Sequence, residues 1–412
     1  MFHYSQNALH CEDVALAEIA KAAGTPAYVY STVAIRAAYQ AYDEGLAGVP
    51  HTICYSVKAN SSVGVLALLA RLGSSFDIVS AGELYRVLKA GGDPSKVVFS
   101  GVGKSADEVD YALAQGIHSF NCESEAELAL IDALAARRGV KASVALRVNP
   151  DVDAVTHPYV STGLREHKFG VDIAEATAVY ARAAAMPNLV VAGVSCHIGS
   201  QILDTDPVME AVDKVLELAA GLWAAGHSIR YVDLGGGLGV PYKSEDPTPE
   251  IRSFAAALCA KVAGSGLHVM VEPGRSIVGP AGVLLTRVLY RKRTGAKEFV
   301  VVDAAMNDLI RPALYQSHHE IIPLRRSERG TILADIVGPV CETGDFLARN
   351  REVANVAPGD LLAVCTAGAY AFVLSSNYNS RPRPPEILVD GAGWRTIRAR
   401  ETFEDLVRGE DA

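Results

Sequence analysis

Residues 51–80, HTICYSVKANSSVGVLALLARLGSSFDIVS, carry the pattern on which the prediction of the fold depends. The apolar runs at about 51–57 and 75–79 are typical of buried strands, and VGVLALLARL between them has apolar residues at helical spacing. This stretch therefore predicts a strand, a helix and a second strand. Lys58 stands where the first strand ends, and taken alone it is compatible with an ordinary solvated lysine.

The same alternation continues to about residue 272. Further strand-like runs, separated by helical patterns, lie at about 96–99, 118–121, 143–148, 190–196, 229–234 and 268–272. Eight strands alternating with helices suit a parallel (β/α)₈ barrel of about 250 residues, and the alternative is an open, doubly wound sheet. The barrel is favoured because its C-terminal strand ends converge on one mouth, and polar residues occupy these ends: Lys58, Asp77, Arg147, His197, the glycines from Gly235, and Glu272.

The alternation of strand-like and helical stretches ends at about residue 275. Short β-like runs such as KEFVVVDAA, TILADIVGPV and PPEILVDG follow one another with few helical patterns. We therefore predict an α/β protein with two domains: a barrel over 29–274, and a mostly antiparallel β-sandwich or β-barrel-like domain over 275–412 joined by 1–28.

Composition narrows the class of protein. Half of the 412 residues are hydrophobic and the net charge is −9, which argues against nucleic acid or an anionic membrane as a partner. The first residues lack a basic segment followed by an apolar core, and no apolar run reaches the roughly 20 residues of a membrane helix. We expect a cytoplasmic protein.

The cysteines indicate reduced thiols. Seven are scattered along the chain without a C-x-x-C pair, so neither a disulfide framework nor a metal site is expected. Most are predicted to be small core residues, although Cys341 lies in a motif discussed below.

Glycine-rich and basic loops suggest an anion site. Gly235, Gly236 and Gly237 in VDLGGGLGV form either a tight turn or a phosphate cradle, and Val240 breaks the dinucleotide pattern G-x-G-x-x-G. The loops after the neighbouring strands, SCHIGSQ and VEPGRS, add His197, Ser200, Gly274 and Arg275. Phosphate sites in barrels lie near strands 7 and 8, so their joint occurrence favours phosphate.

A lysine facing a phosphate site, with an acid nearby, has the parts of a pyridoxal 5′-phosphate site. The amine of Lys58 would form the Schiff base, the glycine loops would hold the phosphate, and an acidic side chain would pair with the pyridine nitrogen.

Over about residues 25–390 the chain resembles the diaminopimelate decarboxylase family, one of the fold-type III pyridoxal-phosphate decarboxylases. The motifs that carry the resemblance occur in family order: YSVKAN, FDIVSAGEL, STGLREHKFG, CHIGSQ, DLGGGLG, EPGR, MNDLIRPALY and CETGD. It implies that Lys58 binds the cofactor, that His197 stacks on its ring and that Glu272 keeps the pyridine nitrogen protonated. The phosphate would be held by Ser200, Gly236, Gly237, Gly274 and Arg275, with Asp77 and Arg147 as supports.

The resemblance also implies how substrate is selected. Arg275, Arg311 and Tyr315 match positions that hold the distal end of diaminopimelate, Glu342 would receive its distal ammonium group, and Tyr370 would reach cofactor or substrate. Cys341 and Glu342 of CETGD enter the partner's site in this family, which implies a head-to-tail homodimer. Cys341 would be the acid that protonates the substrate carbon, and the alternative is a thiol packed in the core.

The expected reaction is decarboxylation of meso-2,6-diaminopimelate to L-lysine and CO₂, the last step of lysine biosynthesis. A decarboxylase of lysine, ornithine or carboxynorspermidine is the alternative enzyme, and a non-catalytic homologue that binds pyridoxal phosphate or a partner protein is the alternative of another class. An amino-acid racemase is disfavoured because the chain carries the decarboxylase's Cys341 loop.

Overall fold

The N-terminal segment begins with a small antiparallel sheet. The computed structural model describes residues 1–152 and 168–411, so residues 161–167 of the STGLREHKFG motif lie outside the described residues. The first three strands of the N-terminal segment pair in the order β1-β2-β3. A helix, a strand and a second helix follow them. The bounds are β1 Phe2–Ser5, β2 Ala8–Cys11, β3 Val14–Ala15, α1 Leu16–Ala23, β4 Ala27–Ser31 and α2 Thr32–Leu46.

Buried apolar runs then form parallel strands at almost the predicted positions. Each is short and bounded by Gly, Asn, Ser or Pro, as expected for strands covered on both faces. They are β5 His51–Ser56, β6 Ser75–Ile78, β7 Val97–Phe99, β8 Ser119–Cys122, β9 Ala142–Asn149, β11 Leu189–Cys196, β12 Tyr231–Asp233 and β13 His268–Val271. A short, partly buried strand that was not predicted, β10 Val171–Asp172, pairs with β9.

The intervening helices begin and end at recognisable signals. The helix that follows Ser105 has a capping box with Glu108 and ends at Gly116 in the left-handed conformation, with φ of 66°. The helices are α3 Val63–Arg71, α4 Ala81–Lys89, α5 Ala106–Gln115, α6 Glu125–Arg138, α7 Ile173–Ala184, α8 Asp206–Ala224, α9 Ile251–Val262 and α10 Arg275–Val278, with 3₁₀ turns at Val57–Ala59 and Pro94–Lys96.

The parallel strands close into a barrel. Neighbours pair in the order β5-β6-β7-β8-β9-β11-β12-β13, and β13 pairs back onto β5, so within the described residues the barrel has eight strands and no open edge. The prediction of a barrel rather than an open sheet is confirmed.

Buried side chains from six strands form a cluster in the barrel. This cluster contains Cys54, Val98, Ala145, Ala192, Tyr231 and Met270. Tyr231 fits because Gly193 lies opposite: a Cβ at Gly193 would lie 2.3 Å from the tyrosine ring. The barrel is thus a packed core, and its chemistry is left to the strand ends.

The C-terminal part is a mostly antiparallel sheet, as predicted. Its strands run β18-β17-β15-β14-β4-β20-β21, while β19 pairs with β14 and β16. The elements are β14 Gly282–Thr294, β15 Lys297–Val302, α11 Arg311–Tyr315, β16 Ile321–Pro323, β17 Thr331–Val337, β18 Phe346–Ala354, β19 Leu361–Val364, β20 Glu386–Asp390, β21 Gly393–Arg398 and α12 Phe403–Leu406, with 3₁₀ turns at Phe372–Leu374 and Tyr378–Ser380.

The chain packs as two compact units. The β unit comprises residues 1–37, 241–246 and 277–412, and the barrel unit comprises 38–240 and 247–276. The β unit therefore includes β4 and six residues from the middle of the chain, 241–246. No helix within the described part of the chain is long and apolar enough to cross a membrane.

Candidate active site

Lys58 lies in the 3₁₀ turn that directly follows β5. Its Nζ donates to Oδ2 of Asp77 at 2.5 Å, and Ser56 Oγ donates to the same oxygen at 2.7 Å. Asp77 is fully buried, whereas the lysine side chain keeps 35% of its exposure. The carboxylate thus fixes the amine at the C-terminal end of the barrel and leaves it reachable.

Two buried carboxyl groups lie at the ends of β12 and β13. Asn121 Nδ2 donates to Asp233 Oδ2 at 2.8 Å and to Glu272 Oε1 at 3.2 Å, and so bridges the pair. Burial raises the pKa of Glu272 well above its ordinary value, and the neighbouring Asp233 raises it further. Burial also raises the pKa of Asp233, whose hydrogen bond with Glu272 acts in the opposite direction. Burial therefore favours the protonated form of this pair, and the upward shift of the pKa is the larger at Glu272.

The glycine loop after β12 is packed too tightly for side chains. A Cβ at Gly236 would lie 2.1 Å from the carbonyl oxygen of Glu272, whose N–H donates to Gly235 at 2.7 Å. Gly237 has a φ of +111°, and a Cβ there would lie 2.4 Å from the carbonyl oxygen of Gly199. The loop is held against the loops on either side, so its backbone groups have fixed positions.

His197 is a neutral imidazole in this arrangement. The N–H of Gly236 donates to its Nδ1 at 3.2 Å, which places the ring proton on Nε2. Burial lowers the pKa of His197 well below its ordinary value, and the positive charges of Arg147 and Lys58 lower it further. Arg147 supports this loop, because its Nη2 donates to the carbonyl of His197 at 3.3 Å.

Arg275 is the buried cation beside the glycine loop. It is 8% exposed, and its Nη2 donates to Ser200 Oγ at 3.0 Å. Gly274 brings this turn against the Lys58 segment, since a Cβ there would lie 2.9 Å from that of Ala59. The barrel-unit residues predicted for the site therefore lie in one set of touching loops: Lys58, His197, Ser200, Gly236, Gly237, Glu272, Gly274 and Arg275.

These residues fit pyridoxal 5′-phosphate. They offer a primary amine, a buried acid for a pyridine nitrogen, a neutral ring for stacking, and a guanidinium with a hydroxyl for phosphate. Asp77 Oδ1 is buried and has no hydrogen-bond partner among the described residues, so the site can accept one more donor.

The predicted substrate residues Arg311, Tyr315, Cys341, Glu342 and Tyr370 lie in the β unit. Arg311 is 6% exposed, and its Nη1 donates to the hydroxyl of Tyr242 at 2.5 Å. Its Nη2 donates to Ser317 Oγ at 3.3 Å, and its guanidinium carbon lies 4.6 Å from the centre of the Tyr242 ring. These contacts hold the arginine in one orientation.

The CETGD loop is solvent-exposed at both predicted residues. Cys341 is an exposed thiol, and its backbone N–H donates to Asn379 Oδ1 at 2.9 Å. Glu342 is exposed as well, and its hydrogen bond raises the pKa of Tyr378. By contrast, Cys11, Cys54, Cys122 and Cys196 are buried. Because Cys341 is exposed, it is not a thiol packed in the core of the chain.

The two tyrosines of the predicted substrate set are both partly buried. Tyr315 ends α11, the helix that Arg311 begins. Tyr370 has a φ of +53°, which is strained for an aromatic residue, and such strain is concentrated at functional sites.

Sequence reasoning missed Asp233, Asn121 and Tyr242. Asp233 and Asn121 could have been found, because each lies at or near the end of a predicted barrel strand. Lys58 and Glu272 were selected by the same rule. Tyr242 gave no such signal, since it lies in a loop segment whose packing in the β unit is not visible in the sequence.

Comparisons with known proteins agree with this geometry. The family described as "Pyridoxal-dependent decarboxylase, pyridoxal binding domain" matches residues 32–279. The chain is similar to a diaminopimelate decarboxylase from Pseudomonas aeruginosa, with 56% identity over 99% of this chain and 98% of the relative. It is also similar to the crystal structure of diaminopimelate decarboxylase from Helicobacter pylori complexed with L-lysine, with a TM-score of 0.92, 44% identity, and coverage of 95% of this chain and 98% of that one. The crystal structure of diaminopimelate decarboxylase from M. jannaschii in co-complex with L-lysine is similar as well, with a TM-score of 0.95 and 36% identity over 100% of this chain and 98% of that one.

Proposed function

Because the chain belongs to the diaminopimelate decarboxylases of the pyridoxal-dependent decarboxylase family, we propose that it converts meso-2,6-diaminopimelate to L-lysine and CO₂, the last step of lysine biosynthesis. Its cofactor is pyridoxal 5′-phosphate, as the sequence predicted. The observation that carries the proposal is the reachable Lys58 amine, held by Asp77 in the same set of loops as the buried Glu272.

Lys58 supplies the amine that holds the cofactor. Its ion pair with Asp77 orients Nζ, and its partial exposure allows the amine to react. When bound, pyridoxal 5′-phosphate withdraws electrons from the α carbon and so stabilises the charge that remains when CO₂ leaves.

Glu272 keeps the pyridine nitrogen protonated. When pyridoxal 5′-phosphate is bound, the carboxyl group of Glu272 would pair with that nitrogen, and its ionised form would stabilise the positive charge there. Asn121 and Ser100 both donate to Glu272 Oε1, which keeps the acid in one orientation.

The neighbouring loops hold the rest of the cofactor. Arg275, Ser200 and the backbone of Gly236, Gly237 and Gly274 bind its phosphate. The imidazole of His197 would stack on its ring, and the lowered pKa of His197 favours the neutral form, which avoids a cation against an electron-poor ring.

The β unit recognises the distal end of the substrate. Arg311 binds the distal carboxylate, and Tyr242 and Ser317 prevent the guanidinium from turning away. Glu342 binds the distal ammonium group, and Tyr315 and Tyr370 contact substrate or cofactor. A substrate with both charges at its far end is therefore preferred over lysine or ornithine.

Cys341 protonates the carbon after CO₂ leaves. We propose that it acts in the partner's site of a head-to-tail homodimer, and its exposure supports this role, because the loop presents both Cys341 and Glu342 at the surface of the chain. The homodimer and the cytoplasmic location stay predictions from the sequence.

The test is CO₂ release by purified protein and pyridoxal phosphate with diaminopimelate, lysine, ornithine and carboxynorspermidine in separate assays. We expect release from diaminopimelate at a kcat/KM far above that for the other three. Preference for any of the other acids would overturn the assignment of substrate, and release from none would overturn the catalytic role.

A further inference from the structure

A second cavity lies at the end of the barrel opposite the candidate active site. Its volume is about 720 Å³, within the range of small-molecule pockets, and it opens among the amino ends of the strands. His51 begins β5, His268 begins β13, and Arg230 directly precedes β12. All residues lining it belong to the barrel unit.

Basic side chains dominate this cavity. Lys96, Arg230 and the imidazoles of His51, His118 and His268 line it, against a single lining carboxylate, Asp43, among the described residues. That carboxylate is already engaged, since its Oδ1 lies 3.1 Å from Nε2 of His51. Positive groups are therefore concentrated here in a protein whose net charge is −9.

The two strongest cations of the cavity remain available to a ligand. Within the described residues the side chains of Arg230 and Lys96 make no hydrogen bond or ion pair, and the nearby Asp93 acts on Lys96 through its charge alone. Arg230 is exposed and has the planar fork of donors that binds carboxylate or phosphate bidentately. A bound anion would therefore gain these donors without breaking an existing ion pair.

The surroundings of this cavity disfavour a positive charge on its histidines. Burial lowers the pKa of His268, and the nearby His51 and His118 lower it further. Burial also lowers the pKa of His118, and Arg230 adds to that effect. His268 is held in place, because its Nε2 lies 2.7 Å from Thr52 Oγ1. A negative ligand would relieve this repulsion.

We propose that this cavity binds a small organic oxyanion, with Arg230 and Lys96 binding its carboxylate or phosphate group. An inorganic anion would fill only a small part of the volume, so the ligand also has an organic body that contacts the Tyr231 and His118 rings, whose centres are 5.8 Å apart. The site is separate from the catalytic one and does not rest on the proposed reaction.

The experiment is calorimetric titration of the holoenzyme, in which pyridoxal phosphate already occupies the glycine-loop phosphate site. Citrate and inorganic phosphate are the probes, and sodium chloride at matched ionic strength is the reference. We expect saturable binding of citrate at one site per chain, weakened about 10-fold or more in Arg230→Gln and in Lys96→Gln. Tighter binding of inorganic phosphate than of citrate would contradict the organic body of the ligand and would overturn the proposal.

Arg137→Gln is the matched control, because it removes the same charge from an exposed arginine of the barrel unit that does not line the cavity. Its affinity for citrate should equal that of the wild type. No saturable binding of either probe, equal weakening in Arg137→Gln and Arg230→Gln, or loss of pyridoxal-phosphate absorbance during the titration would overturn the proposal.

Discussion

Gly236→Ala should damage the cofactor site by sterics alone. The new Cβ would lie 2.1 Å from the carbonyl oxygen of Glu272, whereas real contacts start at about 3.0 Å, so the loop or the end of β13 must shift by about 1 Å. That shift strains two hydrogen bonds, the 2.7 Å bond from the Glu272 N–H to Gly235 and the 3.2 Å bond from the Gly236 N–H to His197. Each bond is worth about 1 kcal/mol, so weakening both by about half costs about 1 kcal/mol; overpacking adds about 1–3 kcal/mol, and the expected cost is about 2–4 kcal/mol.

If that cost falls wholly on cofactor binding, affinity for pyridoxal phosphate drops by about 30-fold to 1000-fold. Urea unfolding of the apoenzyme measures how much of the cost falls on the fold, and absorbance titration with pyridoxal phosphate measures the remainder. Gly103→Ala is the matched control, because a Cβ there meets nothing within 4 Å and the residue does not have a positive φ.

Comparison of the two variants separates a specific clash at Gly236 from a general effect of adding a side chain to a loop glycine. Wild-type stability and cofactor affinity in Gly236→Ala would refute the claim that the loop is fixed against Glu272. Equal losses of stability and cofactor affinity in Gly103→Ala would show that adding a side chain to any loop glycine has this effect. The contact between Gly236 and Glu272 would then not be the cause.

Three further predictions address the substrate, the dimer and pH. Arg311→Ala should weaken diaminopimelate binding by about 2–5 kcal/mol while sparing lysine, and Tyr242→Phe should weaken it about 10-fold; equal losses for both ligands in titrations would contradict the role of Arg311. Cys341→Ala should keep its fold and cofactor but lose about 10²–10⁴-fold in turnover, and mixing it with inactive Lys58→Ala chains should restore some activity, so an absence of recovery despite subunit exchange would refute the shared site. Burial raises the pKa of Asp308 to about 7, so the stability contributed by its protonated form is present near pH 4 and is lost as pH rises through about 7. The free energy of unfolding, measured with urea at several pH values, should fall less steeply with rising pH in Asp308→Asn than in the wild type. Identical slopes would contradict this assignment.

The barrel could be predicted because its signals are local. The apolar run of each barrel strand lies within three residues of the observed bounds, and the polar residue at each strand end follows from the same pattern. Lys58 and Glu272 were found in this way because parallel strands bring their C-terminal ends together whatever the details of packing.

The remaining features depend on contacts between distant segments. Tyr242 packs with Arg311 across 69 positions of sequence, and nothing near either residue marks the pair. The raised pKa values of Glu272 and Asp233 depend on the burial of both side chains, and the closed barrel also places Asn121 between them. Motif order predicts a role for Cys341, whereas its exposed position is a property of the fold and not of the motif.

The central claim is that Lys58 is the amine that carries the cofactor. The most direct measurement is borohydride reduction of the holoenzyme followed by peptide mass mapping, in which the buried Lys104, paired with Glu127, serves as the internal control. The label should be found on the peptide that contains Lys58 and should be absent from Lys58→Ala. A label on any other lysine, or a labelled Lys58→Ala variant, would contradict the account.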